Sequence, residues 1–459
     1  VAAVSRHVRR KALTILIEGD LMLSRRGALA LGLSSSAVAA LAACGPNAPA
    51  SSGGGGDDAE GGSGGGKIRL AWWGNPTRNE MTDDVKDAFE KANDGVSITK
   101  EPGDWDGYWD KLATQVAGGD MPDVVQMDEQ YLAEYASRGA LLDLEEAGLD
   151  VSGFEDSTVD IGRVADAGLA AISAGVGVAA VHVNTQVFDD AGVDLPDDST
   201  WTWEDFQKVA EDVSKKSGDG IYGASQLATN PAAYPIWMRQ QGQALWKGDG
   251  IGFEEGAAKS FFEFMKTLGE SDGTPSADLS VEDGNQGPDQ SLFGTGKMGM
   301  MIAWSTQSVQ YDEMLDDKVK ILRLPSQTGK AEDVQLWNKP SMYWAISSKT
   351  KDPDTAVKLV DFLVNSEDAG KIMQVERGVP GNTTVRDAVS DDLSDRDTKP
   401  VEYHEAIEGE LGDAPDPTPA GGTVYEDSLK RAGEDLMFGK IDPAAAAKSM
   451  VDELTSGVA

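Results

Sequence analysis

The sequence predicts an α/β protein of two lobes, each a mostly parallel sheet flanked by helices. Three observations predict it. The chain has 459 residues, too many for one ordinary core. A β-α-β-α-β pattern opens the folded region, and such alternation makes a parallel sheet covered by helices. The same alternation recurs downstream, joined by two short extended crossings.

The elements follow in order from residue spacing. Ile68, Leu70 and Trp72 alternate with polar or small residues, as on a strand. Met81, Val85, Ala88 and Phe89 then share one helical face. A strand over Val96 to Lys100, a helix near Trp109 to Ala117, a stop at Gly118-Gly119-Asp120 and a strand at Val124 to Met127 complete the unit. Further on, Thr202 and Asp205 have capping-box spacing ahead of Phe206, Val209, Ala210 and Val213. Asp352-Pro353 opens a helix that turns Ala356, Leu359, Val360 and Leu363 inward. Gly175 to Asn184 and Met342 to Ser347 read as the extended crossings. No repeat of 20 to 50 residues is found.

Composition narrows the function. Against 40 Lys and Arg stand 78 Asp and Glu, a formal net charge of −38. Such a field repels nucleic acid and anionic membrane surfaces. Cys44 is the single cysteine, which rules out an intrachain disulfide and a cysteine zinc site. The three histidines, His7, His182 and His404, lack metal-ligand spacing. No metal and no cofactor are expected. Gly294, Gly296 and Gly299 spell a dinucleotide fingerprint, but the element order around them is the reverse of the one it needs.

The N-terminus carries an address. Ser24-Arg25-Arg26 precedes the apolar stretch Gly27 to Ala43, which ends in Leu41-Ala42-Ala43-Cys44. Basic start, apolar middle and small-residue cleavage site make a secretory signal, and the stretch is short for a membrane span. Leu-Ala-Ala-Cys resembles a bacterial lipobox, which implies cleavage before Cys44 and its lipidation. The paired arginines partly match a twin-arginine signal. Met22 sits just before the basic start, so residues 1–21 are expected to be a start-site artefact, 22–43 the signal and 44–66 a lipidated cysteine with a flexible Gly- and Ser-rich linker.

Function-bearing residues lie in the folded region. Trp72-Trp73-Gly74-Asn75, Arg78, Tyr108-Trp109-Asp110-Lys111-Leu112, Ala117-Gly118-Gly119-Asp120-Met121-Pro122-Asp123-Val124, Trp201-Thr202-Trp203-Glu204-Asp205-Phe206, Phe293-Gly294-Thr295-Gly296-Lys297-Met298-Gly299-Met300 with Trp304, and Arg377-Gly378-Val379-Pro380 occur in this order. Together they resemble the family-1 extracellular solute-binding proteins of bacterial ABC sugar importers, relatives of maltose-binding protein. The resemblance implies a two-lobed periplasmic-binding-protein fold of type II, with a ligand cleft between the lobes. It places lobe 1 at 67–180 plus 342–382 and lobe 2 at 181–341 plus 383–459.

Sugars offer apolar faces and hydroxyl rims, and so call for aromatic platforms flanked by planar donors and acceptors; the chain has 11 Trp. In open α/β sheets ligands sit beyond the carboxyl ends of strands, where Trp73, Asn75, Asp128 and Trp304 fall. Of the adjacent tryptophans one must face the core, and the phase of Ile68 and Leu70 gives that place to Trp72. By resemblance, Trp304 stacks on a sugar ring, Tyr234 and Trp237 form the wall of the second lobe, Asp128 and Arg78 bind hydroxyls, and Gly422 and Tyr425 belong to the last segment to approach the ligand. Tyr343, Trp344 and Arg377 complete the candidates, with core packing the competing role for each aromatic and an ion pair for Arg377.

The implied protein is a monomeric carrier, not an enzyme, held outside the cell membrane by lipidated Cys44. It captures a carbohydrate, an oligosaccharide or other sugar, and delivers it to ABC permease subunits. Two alternatives stand beside it. A secreted glycoside hydrolase needs two carboxyl groups roughly 5 to 9.5 Å apart, and a carbohydrate sensor differs only in its membrane partner.

Overall fold

The computed structural model describes residues 66–458. The signal segment, Cys44 and nearly all of the linker lie outside the described residues. Among the described residues no helix is long and apolar enough to cross a membrane, and no group of three or more His, Cys, Asp or Glu side chains could hold a metal ion.

Among the described residues, nine strands build the two larger sheets. The first sheet uses β1 (Lys67–Trp73), β2 (Ser97–Gly103), β3 (Val124–Met127), β4 (Ile172–Gly177) and β9 (Lys339–Ile346), in the order β2-β1-β3-β9-β4. The second uses β5 (Ala179–Asn184), β6 (Tyr222–Ala224), β7 (Met298–Trp304) and β8 (Val319–Leu322), in the order β8-β5-β7-β6. The α/β class is the predicted one, but each sheet is mixed. β1 runs parallel to β2 and β3, whereas β9 is antiparallel to both of its neighbours, because it is a returning crossover strand. β5, the other crossover product, is antiparallel to β7 and β8.

Local sequence sets the helices around the first sheet. Asn75 caps α1 (Pro76–Ala92), accepting from the Arg78 amide, and proline occupies the first turn. Asp104 caps α2 (Trp105–Gly118), which ends in left-handed Gly119, as the Gly-Gly-Asp stop predicts. Asp128 caps α3 (Glu129–Ser137) through the Gln130 amide. Later come α6 (Pro353–Asn365), α7 (Glu367–Met373) and α8 (Thr383–Ser390). The second sheet is flanked by α4 (Trp203–Ser217), where the Thr202/Asp205 capping box forms in both directions, and by α5 (Glu255–Gly269), α9 (Asp395–Ile407), α10 (Tyr425–Met437) and α11 (Pro443–Gly457).

Alternation along β1 sends Ile68, Leu70 and Trp72 into one core with Phe89 and Leu359. Ala71 and Trp73 enter the core on the other face with Tyr108 and Leu112. Both faces are covered, so both tryptophans are buried, Trp72 at 1% and Trp73 at 7% exposure. The second sheet has its own large core around Phe206, Phe261 and Phe262.

The chain passes between the sheets three times. The first crossing is Val178, between β4 and β5. The second precedes β9, which begins at Lys339 rather than at 342. The third follows α8. That helix packs against α6 and α7, with Val385 and Val389 beside Gly370. α9 then packs on β8, and Tyr403 donates to the Ala179 carbonyl at 3.1 Å.

Candidate functional site

A cavity that draws on both halves lies over the crossings. β7 ends at Trp304, and the turn behind it is clamped to the first crossing: Ser305 N–H donates to Val178 O at 2.7 Å, and Val178 N–H donates to Ser305 Oγ at 3.1 Å. Beside it, Lys339 opens β9 and pairs in register with Gly177. Lys339 thus opens the strand that returns to the first sheet, and Trp304 ends the strand paired with β5 beside the first crossing. The α3 cap brings Asp128 and Glu129 from the first half. Trp246, Trp337, Gly422, Tyr425 and Glu426 come from the second.

The enclosed space is about 160 Å³, below the roughly 300 to 1,000 Å³ of drug-sized ligand sites. A ligand of several rings would extend into the open ends of the cleft. A larger cavity of about 460 Å³ lies between helix Ala277–Gly284, β7 and α10. It is lined by the second half alone, so a ligand there could not link the two halves.

Aromatic surface and charge are interleaved in the cleft. Trp304 and Trp337 meet edge to face with centroids 6.3 Å apart. The Lys339 ammonium lies 5.2 Å from the Trp304 ring centroid and 3.2 Å from Glu129 Oε2. Burial pulls that ammonium down, but Glu129, Asp128 and Glu426 outweigh burial and leave its pKa raised. Burial pushes the Asp128 and Glu426 carboxyls up, against the pull of Lys339. The Arg239 guanidinium sits 5.1 Å from the Trp337 centroid and donates to the Gln335 and Asp413 carbonyls at 2.9 and 2.8 Å.

Of the sequence-predicted residues, Asp128, Trp304, Gly422 and Tyr425 line this cavity. Tyr425 also donates to the Pro231 carbonyl at 2.9 Å. The others lie elsewhere, each for a physical reason. Trp73 packs against Trp105, Tyr108 and Trp109. Asn75 is spent on the α1 cap. Arg78 pairs with Glu376 at 3.0 Å. Tyr234 is fully buried among Phe253, Phe261 and Phe262. Trp237 stacks on Phe264 and donates to Ser260 Oγ at 3.0 Å. Tyr343 donates to the Ile161 carbonyl at 2.7 Å. Trp344 is buried with the Arg377 guanidinium 5.1 Å from its centroid. Arg377, 2% exposed, donates to Gln126 Oε1 and Thr82 Oγ1 at 3.2 and 2.9 Å, and burial pulls its pKa down to about 9.

Sequence reasoning missed Glu129, Arg239, Trp246, Trp337, Lys339 and Glu426. Glu129 and Glu426 adjoin predicted residues and were within reach of it. Trp246, Trp337 and Lys339 sit in irregular segments or at a strand start, where periodicity says nothing about facing.

Two sheets joined by short crossings, with an aromatic and charged cleft over them, are the architecture of a solute-binding protein. The chain belongs to the bacterial extracellular solute-binding protein family, whose profile matches residues 84–400. It is 24% identical over 322 residues to a binding protein of Brucella abortus (strain 2308), covering 65% of this chain and 72% of that one. The structure is similar to a family 1 extracellular solute-binding protein from Alicyclobacillus acidocaldarius, with a TM-score of 0.71 and 26% identity over 86% of this chain and 99% of that one. It is also similar to a periplasmic oligogalacturonide binding protein from Yersinia enterocolitica, with a TM-score of 0.72 and 22% identity over 86% and 100% of the two chains.

Proposed function

We propose that this protein is a lipid-anchored carrier that captures a carbohydrate, of oligosaccharide length, and delivers it to the permease subunits of an ABC importer. The observation that carries the proposal is Trp304. It stands at the carboxyl end of β7, on the strand next to the first crossing, with a second indole at its edge and a carboxyl group from each half nearby. A sugar ring against Trp304 would touch both halves at once, and ligand contact with both favours the closed state. The Yersinia neighbour, a sugar binder by its description, supports the carbohydrate class. Lobe 1 comprises residues 67–177 plus 339–390, and lobe 2 comprises 179–338 plus 395–458. Cys44 carries the lipid, and the Gly- and Ser-rich linker lets the folded body turn outside the membrane. The monomer binds its sugar without chemical change.

Titration calorimetry against mono- and oligosaccharides, followed by chromatography of each mixture, tests this reading. Saturable binding of one sugar class, recovered unchanged, is the expected result. Conversion of the sugar would make the protein an enzyme that uses the cleft carboxyls. Silence across the panel would exclude carbohydrate.

A further inference from the structure

The charges of the cleft are unequally satisfied. Lys339 is served by the protein itself: Glu129 pairs with it, the Pro340 carbonyl accepts from it at 3.1 Å, and the Trp304 ring lies beside it. Arg239 is likewise occupied by two backbone carbonyls and Trp337. The Asp416 carboxylate accepts from the Gly248 amide at 2.8 Å. Two carboxyl groups are left over. Asp128 accepts only the Gln130 amide of its own cap at 3.0 Å. Glu426 has neither a hydrogen bond nor an ion pair among the described residues, although it lines the cavity. The two come from opposite halves, Asp128 at the start of α3 and Glu426 in the first turn of α10.

We infer that the cleft selects a glycan bearing a protonated amine, an amino sugar held between Asp128 and Glu426, and disfavours uronic acids. The inference rests on the carbohydrate reading and names the class within it. As the halves stand, Glu426 is exposed and Asp128 half-buried, so water serves both; closing the halves on a neutral sugar would take the two carboxyls out of water with no cation between them. An ammonium between them supplies charge-assisted hydrogen bonds to both and removes that opposition to closure, whereas a uronate adds a third negative charge. Both carboxyls are already raised by burial and by the charge of Glu129, against the pull of Lys339, as expected of groups short of a cation.

The test uses the full chain and three probes, the trisaccharides of glucosamine, glucose and glucuronic acid, each in α-1,4 and β-1,4 linkage, titrated at low and high salt. The glucosamine compound is expected to bind about 10- to 100-fold tighter than the glucose one, with a preference that shrinks as salt rises. The glucuronic acid compound is expected to bind weakest. Asp128→Asn, which keeps a good helix cap, and Glu426→Gln should each reduce the ratio of amine to neutral affinity, with thermal melting reporting that both variants fold. Equal or tighter binding of the neutral or uronic trisaccharide overturns the inference and leaves the carbohydrate reading standing. Failure of all six compounds to bind would count against both.

Discussion

Replacing Trp304 by alanine should weaken sugar binding by about one to two orders of magnitude. A buried tryptophan covers roughly 150 to 250 Å². In this cleft one face of the indole is shared with the Lys339 ammonium and its edge with Trp337, which leaves about half of that area, ~100 Å², for a ring. At ~25 cal/mol per Å² the lost contact is worth about 2.5 kcal/mol, or about 70-fold in Kd. Water returning to the vacated space recovers part of this, so a loss between about 10-fold and 70-fold is expected. Calorimetry of the parent and Trp304→Ala chains with the same sugar measures it. Because Trp304 is only half-buried without ligand, the variant should fold and melt close to the parent. An affinity within about twofold of the parent would refute the stacking argument.

Three further predictions concern the frame of the cleft. Arg377→Met removes a buried guanidinium and strands Gln126 and Thr82; it should lower stability by about 2 to 3 kcal/mol in urea denaturation and change sugar affinity less than about twofold. Glu155, preceding helix Asp156–Asp160, lies near Glu408 and 3.8 Å from the Arg386 guanidinium, which pairs with Glu408 at 2.8 Å. Burial, then Glu408, raise its pKa from 4.5 to about 7, while the bond from protonated Glu155 holds Glu408 down. The folded state therefore binds the Glu155 proton more tightly than the unfolded chain. Its stabilisation is full below about pH 4.5 and lost as pH rises through about 7. Glu155→Gln, which keeps a donor for Glu408, should flatten the fall of melting temperature across that window. Gly421 has φ +82°, and a Cβ there would meet the Gly457 carbonyl at 1.9 Å. Gly421→Ala should cost at least about 2 kcal/mol and loosen the Gly422 to Glu426 wall, measured as lower stability together with weaker sugar binding.

The fold was legible where periodicity and punctuation coincide. The β1-α1-β2-α2-β3 unit, the capping box at Thr202 and the Asp352-Pro353 helix start all form as read, because each depends on residues within one or two turns. Sheet direction was not legible. β9 and β5 run antiparallel to their sheet neighbours because of how the chain returns between the halves, and no local pattern records that. The site was half legible. Asp128 and Trp304 follow strands whose ends could be located, and a strand end fixes where the next side chain stands. Trp72 and Trp73 point to opposite faces of β1, and only an open second face would leave Trp73 free. With helices on both faces the alternation was right and the conclusion for Trp73 was not. Tyr234, Trp237, Tyr343 and Trp344 show the same limit. An aromatic residue near a strand or helix end has the composition of a platform whether or not a neighbouring ring already covers it. Trp337 was missed because it lies in an irregular segment, and Arg239 and Lys339 because they stand at a helix end and a strand start, where facing is set by the partners they meet, such as the Gln335 and Asp413 carbonyls around Arg239.

The measurement that tests the central claim most directly is a crystal structure of the protein with the sugar that titration identifies. The account predicts a sugar ring against the free face of Trp304, with contacts to Asp128 from the first half and to the Tyr425 and Glu426 segment from the second. A sugar lodged instead in the cavity beside helix Ala277–Gly284, touching the second half alone, would contradict it.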